Sequence, residues 1–159
     1  MAHSPDPSFD PAMTGGIRSG EHRIDLPAQF DAHLYFIGRI RSPWTHRAEC
    51  PRRGDPLVGP VCTLEIDSRW ADALSGIEAN ARLQVLYWMD QARRDLVLQV
   101  PRAGRPLGTF ALRSPARPNP IASSVVTLLT VDGLRLTVRG LDCIDGTPLV
   151  DLKPEHPPT

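Results

Sequence analysis

Val125-Val126-Thr127-Leu128-Leu129-Thr130-Val131-Asp132-Gly133-Leu134-Arg135-Leu136-Thr137-Val138 is the stretch that decides the fold class. Two apolar, β-branched runs flank an Asp-Gly pair. Asp-Gly between such runs is a strong signal for a two-residue hairpin loop. The predicted strands cover 125–131 and 134–138, joined by Asp132-Gly133.

The same pattern continues outward in both directions. Residues 61–66 alternate with period two, as a half-buried strand does. Residues 83–89, Leu-Gln-Val-Leu-Tyr-Trp-Met, read as a strand with few exposed positions. Residues 96–100 follow and stop at Pro101, and 108–112 form another short run. Residues 34–40 are β-branched and aromatic up to Ser42-Pro43, and 149–152 are the last predicted strand. Trp70-Ala71-Asp72-Ala73-Leu74 is predicted as one or two helical turns, ended by Gly76. Many short strands with turn residues between them define an all-β protein, a barrel or a sandwich. The 17 prolines fit a chain of many loops and few helices.

A length of 159 residues fits one domain with one core. Residues 1–30 are rich in Pro, Gly, Ser and Asp and are predicted as a flexible N-terminal extension; 155–159 are a short tail. No apolar run approaches the roughly 20 residues that span a bilayer. The opening M-A-H-S-P-D-P-S-F-D-P has no apolar signal-peptide core, so a cytoplasmic location is expected. Cys50, Cys62 and Cys143 form no C-x-x-C pair, and reduced structural thiols with no metal site are expected.

Net charge is zero, but its distribution is uneven. No Asp or Glu occurs from 96 through 131, a stretch that carries Arg102, Arg105, Arg113 and Arg117. A local anion-binding face accounts for this. So does an arginine-biased composition, since Lys153 is the only lysine.

Two segments carry chemistry. Arg113-Ser114-Pro115-Ala116-Arg117-Pro118-Asn119-Pro120-Ile121-Ala122-Ser123-Ser124 lies between strands. Each proline fixes its own φ and biases its predecessor to extended geometry. The loop therefore loses little entropy on binding and offers two guanidinium forks and an amide, which suits a small polar ligand. A rigid crossover with solvated arginines has the same composition. The second segment is Leu141-Asp142-Cys143-Ile144-Asp145-Gly146-Thr147-Pro148-Leu149-Val150-Asp151-Leu152-Lys153-Pro154. Its Asp-Gly-Thr-Pro turn, with carboxylates on both sides, suits a cationic ligand, or Asp145 simply caps its own backbone.

Taken together, R-S-P-x-R-P-N-P-I followed by L-D-x-x-D-G-T-P-x-x-D-x-K-P resembles the TrmO (YaeB-like, TsaA-like) family. Ile37-Gly38-Arg39-Ile40-Arg41-Ser42-Pro43-Trp44 is similar to the family's opening I-G-x-I-R-S-P-aromatic. Asp72-Ala73-Leu74-Ser75-Gly76-Ile77-Glu78 is similar to D-A-x-x-G-L-E, and 83–91 to the apolar strand that ends in F-H-Q. The resemblance runs from about Phe36 to Pro154. It departs at Arg53 where the family has Gln, at Asp90 for His, at Ala122 for Gly, and at Glu155 for the aromatic after K-P.

The resemblance implies a small single-domain β-barrel over 31–154. It implies S-adenosylmethionine as cofactor, bound near a homodimer interface, and N6-methylation of threonylcarbamoyladenosine beside the anticodon of a transfer RNA. The family's cofactor contacts map onto Arg52, Gln91, Arg113, Ser123, Asp142, Asp145, Gly146 and Thr147. Arg117 and Asn119 become candidates for holding substrate. Asp90, Asp145 and Asp151 become candidate bases, because the target nitrogen is delocalised and its proton must be removed, and Lys153 joins Asp90 and Asp145 as a candidate catalytic group that could hold a substrate carboxylate or phosphate. A barrel that binds the same cofactor but acts on another substrate, and a non-catalytic binding module, are the competing expectations.

Overall fold

The computed structural model describes residues 16–102 and 104–156. The flexible extension expected over 1–30 lies partly outside these residues. The chain divides into two compact units, Leu34–Trp88 with Ala122–Thr159, and Met1–His33 with Met89–Ile121.

The larger unit is the closed barrel. Its strands are β2 (Gly38–Arg41), β3 (Val61–Ile66), β4 (Arg82–Trp88), β7 (Ile121–Asp132), β8 (Arg135–Arg139) and β9 (Pro148–Pro154). They close in the order β2-β3-β8-β7-β4-β9. Closure removes every open edge, and six strands leave an interior that side chains alone can fill. The filling follows from alternation. In β4, Leu83, Val85 and Tyr87 turn inward at 1% exposure or less, while Arg82, Gln84, Leu86 and Trp88 face outward. Ile40, Cys62, Leu64, Ile66, Val126, Leu136, Val138 and Leu149 complete the core. Burying a side chain of this kind contributes about 1.5–3 kcal/mol.

The hairpin read from the sequence is present, shifted by one residue. Asp132 pairs with Arg135, so the two-residue loop is Gly133-Leu134. Gly133 has φ 56° and no non-glycine residue has positive φ, which makes the loop type II′ rather than the I′ form typical of Asp-Gly. Two bulges interrupt the barrel ladders described here, at β7–β8 and β4–β9. Leu129 stands unpaired between Leu128↔Val138 and Thr130↔Thr137. Val150 stands unpaired between Tyr87↔Leu149 and Leu86↔Asp151. The second bulge shifts the parity of β9, so that Leu149 and Leu152, three residues apart, face the same core positions of β4.

Residues 34–40 are a strand only from Gly38 onward. Tyr35 and Phe36 pack instead against Trp70 and Trp88, at ring-centroid distances of 6.0 and 6.4 Å. The predicted helical turns are 3-10 turns at Ser68–Leu74 and Ile77–Ala79, separated by Gly76 at φ 80°. Asp67 caps the first by accepting the Arg69 N–H.

The smaller unit is a three-stranded sheet in the order β1-β5-β6, made of β1 (His22–Arg23), β5 (Leu96–Gln99) and β6 (Leu107–Gly108). Part of the predicted extension therefore supplies a paired strand. The predicted strand at 108–112 becomes β6 followed by a 3-10 turn, Thr109–Ala111. The cause is Thr109. Its hydroxyl turns inward, donating to Leu96 O at 2.8 Å and accepting from Gln99 Nε2 at 2.8 Å. The unit's two ends lie side by side, with the Met89 N–H donating to Pro120 O at 2.8 Å.

Candidate functional site

On the barrel unit the D-G-T-P turn is docked against the end of β2. The Ile40 N–H donates to Thr147 O at 2.9 Å, the Gly146 N–H to Ile40 O at 2.8 Å, and the Asp145 N–H to Trp44 O at 2.7 Å. Arg39 Nη1 donates to Gly146 O at 2.9 Å, and Ser42 Oγ to Cys143 O at 2.7 Å. Gly146 has φ 81°, which the turn requires and other side chains resist. Thr147 is buried, its hydroxyl held by Ile144 O at 2.7 Å. The two conspicuous motifs, I-R-S-P and D-G-T-P, are thus one hydrogen-bonded structure.

Asp145 is tied into it. One oxygen accepts the Ser42 N–H at 3.1 Å and the other lies 3.5 Å from Arg41 Nη1. The carboxylate caps the backbone of the facing strand rather than its own. Arg41 is shared with Glu65, which also binds Arg135. Between two guanidinium groups, Glu65 titrates below the usual carboxylate range, chiefly through Arg135 and then Arg41.

Asp142 meets the barrel interior. Tyr87 Oη donates to Asp142 Oδ1 at 2.5 Å and lies 2.8 Å from Ser124 Oγ. The phenol has one proton, so Ser124 donates to it and it donates to Asp142. Burial, and then the adjacent Asp142 charge, push the Tyr87 phenol well above its ordinary value, which keeps it a donor. Gln84 Nε2 donates to Ser123 Oγ at 3.0 Å. Sequence reasoning missed Tyr87 and Ser124; a tyrosine on the inward phase of a strand was the available signal, because a buried phenol needs a partner.

Arg52 is exposed on the turn that follows Cys50-Pro51. That turn is positioned by Gly54, where a Cβ would lie 1.8 Å from Gly140 O. All three cysteines are free thiols. Burial pushes Cys62 up to about 11 and Cys143 higher still, so both stay neutral. Among the described residues no group of His, Cys, Asp and Glu could hold a metal ion, and no helix is long and apolar enough to cross a membrane.

Lys153 lies 2.8 Å from Asp151, two residues back on the outer phase of β9. The pair borders a cavity of about 520 Å³, lined mainly by Ile37, Ile66, Trp70, Ile77 and Leu83. The cavity takes in Lys153 but none of the 142–147 turn, so those two groups of candidates do not meet there. It was not legible in the sequence, since its walls come from separate strands and a 3-10 segment.

On the smaller unit, the proline-rich loop is braced from below. Gln99 is 3% exposed, and its Nε2 donates to Ala116 O at 2.7 Å as well as to Thr109. Arg94 donates to Pro118 O at 2.6 Å and to Asn119 Oδ1 at 3.2 Å, and its guanidinium lies 5.1 Å from the Phe30 ring centre. Arg117 Nη1 donates to Leu112 O and Ser114 O, closing the loop on itself. Of the predicted substrate contacts, Arg117 and Asn119 therefore both have structural partners, Arg117 at Leu112 and Ser114 and Asn119 at Arg94. Gln91, Arg113 and Asp90 are exposed. Asp90 has no ion pair or side-chain hydrogen bond among the described residues, in contrast to Asp145 and Lys153.

A closed six-stranded barrel with these two motifs defines a class outside the Rossmann-type nucleotide binders, whose glycine-rich βαβ unit is not found among the described residues. Residues 39–158 match the tRNA-methyltransferase O N-terminal domain. The chain belongs to that family. It is 51% identical over 141 residues to the "Probable S-adenosyl-L-methionine-binding protein VirR" of Rhizobium radiobacter, covering 88% of this chain and 80% of that one. It is 42% identical over 122 residues to an S-adenosyl-L-methionine-binding protein of Archaeoglobus fulgidus, covering 76% and 87%. A crystal structure of TrmO superposes with a TM-score of 0.66 at 36% identity, covering 80% of this chain and 59% of that chain. The chain thus spans less than two thirds of the TrmO chain it matches.

Proposed function

We propose that this chain binds S-adenosylmethionine and transfers its methyl group to N6 of threonylcarbamoyladenosine beside the anticodon of a transfer RNA. The observation that carries the reading is the match of residues 39–158 to the tRNA-methyltransferase O N-terminal domain. The names of its relatives support the cofactor.

The donor set suits that cofactor. A sulfonium with an amino-acid end and an adenosine end needs carboxylates and carbonyls for its cation, and guanidinium or amide groups for its carboxylate. Asp142, Asp145, Gly146 and Thr147 supply the first kind, and the Arg52 guanidinium, with the Ser123 hydroxyl as a further donor, the second. Gln91 and Arg113 are further candidates of the second kind. The cofactor brings an electrophilic methyl group to an in-line displacement. The protein's share is alignment, which contributes about 7–11 kcal/mol when reactants are well oriented, and removal of the N6 proton.

Asp90 is the base this reading assigns, because Asp145 and Asp151 each have partners to leave first. Arg117 and Asn119 shape the loop that receives the substrate, and the working form is a cytoplasmic homodimer. Titration with S-adenosylmethionine, followed by methyl transfer to threonylcarbamoyl-modified transfer RNA, tests the proposal. Arg113→Ala should abolish cofactor binding with the fold intact. Asp90→Asn should keep cofactor affinity and lose about 100-fold or more in rate. Cofactor binding without methyl transfer to any transfer RNA would favour a second reading, a barrel acting on another substrate. The Asp that stands here for the family's His favours that second reading too.

A further inference from the structure

Phe110 is 83% exposed. It occupies the middle of the 3-10 turn Thr109–Ala111, whose first residue is buried and hydrogen-bonded to Leu96 and Gln99. The Leu112 N–H closes the turn on Thr109 O at 3.1 Å, and Arg117 holds Leu112 O at 3.0 Å. The buried Gln99 amide pins both ends of the segment, at Thr109 and at Ala116. A large apolar ring is thus held out into solvent by a turn whose own backbone is anchored in the core. The fold gains almost nothing from that ring.

The stretch of chain that carries it is cationic. The acid-free run from 96 to 131 surrounds it in sequence, and Arg102, Arg105 and Arg113 are exposed on the same unit. A flat π-face on a fixed mount, in a stretch of chain that carries arginines and no carboxylates, matches a nucleobase that carries an anionic group. The bases of single strands stack on aromatic side chains while Arg and Lys hold their phosphates. An apolar peptide side chain would fit the ring, but it would give no reason for the missing acids.

We propose that Phe110 is a stacking platform for a nucleobase, with the exposed arginines of the loop holding the attached anion. The inference rests on the proposed function, which offers two sources of the base: the adenine of S-adenosylmethionine and an unstacked base of the RNA.

The test uses the full chain with Phe110→Ala, Phe110→Leu and Phe110→Trp. Two probes are titrated separately, S-adenosylmethionine and a synthetic anticodon stem-loop RNA. Because the ring is exposed, Phe110→Ala should keep the wild-type melting temperature. It should lose about 5- to 150-fold in affinity for one probe, which identifies the source of the base. Phe110→Trp should retain affinity, with its emission quenched by that same probe. Affinities of Phe110→Ala within twofold of wild type for both probes would overturn the platform and leave the proposed function standing. So would wild-type affinity in Phe110→Leu, which keeps apolar bulk and loses the π-face. A wild-type protein that binds neither probe would overturn both.

Discussion

Tyr87 Oη lies 2.5 Å from Asp142 Oδ1, so a phenol rooted in the barrel core orients a carboxylate at the start of the D-G-T-P segment. Tyr87→Phe removes one oxygen and little volume, and leaves both Asp142 and Ser124 without their partner. Loss of a hydrogen bond to a charged acceptor costs about 1.5–3 kcal/mol. Ser124→Ala breaks only the neutral half of the relay and should cost about 1 kcal/mol. Urea unfolding of the two variants checks the order. The proposed cofactor role of Asp142 adds a second readout: Tyr87→Phe should weaken S-adenosylmethionine binding more than Ser124→Ala does. Equal effects on both measurements would mean that the phenol only fills space.

The same core sets the behaviour at alkaline pH. Burial raises the Cys62 thiol from 9.0 to about 11 and pushes Cys143 and Tyr87 upward as well. Each is held protonated in the folded state while its unfolded counterpart ionises at the ordinary value. The stability these groups contribute is therefore complete below about pH 9 and is lost as pH rises. For Cys62 the loss runs from about pH 9 to about pH 11. Each group contributes a slope of about 1.4 kcal/mol per pH unit within its window. Denaturant midpoints measured from pH 8 to pH 11 should fall from about pH 9 onward, and Cys62→Ala should make that fall shallower throughout. A variant with the wild-type slope would show that Cys62 does not gate the transition.

Gln99 is the point where the proline-rich loop is tied to its sheet. Gln99→Leu keeps the volume but leaves the Ala116 carbonyl without its donor and Thr109 Oγ1 without the amide. The expected cost is about 1–3 kcal/mol. Amide exchange should accelerate across 109–119 more than in the barrel strands. Uniform acceleration throughout the chain would mean global destabilisation without a local anchor.

How much of this could be read from the chain follows from the range of each interaction. Residues 61–66, read as alternating with period two, are the strand Val61–Ile66, and residues 83–89, read as a strand with few exposed positions, are the strand Arg82–Trp88 with Gln84, Leu86 and Trp88 half-buried. The last strand, read at 149–152, is present as Pro148–Pro154, but which of its residues face inward was not legible, because the Val150 bulge changes the parity between Leu149 and Leu152 and leaves no mark in a period-two pattern. β1 was invisible for a different reason. Two residues, His22 and Arg23, have no periodicity of their own and become a strand only by pairing with Leu98 and Leu96. Within the candidate site, the D-G-T-P and R-P-N-P segments were legible because turns are encoded locally by Gly, Asp and Pro. Tyr87 beneath Asp142 and Gln99 beneath Ala116 were not, since each joins positions brought together only by the fold. Lys153 shows the same limit: its partner was foreseeable as the neighbour Asp151, whereas the cavity beside it was not.

The closest backbone approach that the sequence leaves unexplained is at Gly54, and it yields the sharpest contrast between two glycines. A Cβ on Gly54 would sit 1.8 Å from Gly140 O and 2.3 Å from Gly140 C, with only backbone in the way. Gly140, at φ 123°, is itself wedged against Val125 O and Pro56. Neither side can yield without moving the turn that carries Arg52 or the end of β8. Gly54→Ala should therefore cost several kcal/mol, in the range reserved for steric conflict in a packed interior. Gly133 has a positive φ too, but a Cβ there meets nothing within 4 Å. Gly133→Asn should cost only backbone strain, about 1–3 kcal/mol, because the first central position of a II′ turn favours glycine. Thermal unfolding of both variants decides the matter. If Gly54→Ala melts within a few degrees of Gly133→Asn, the turn is free to retreat from Gly140. The presentation of Arg52 would then not depend on that contact.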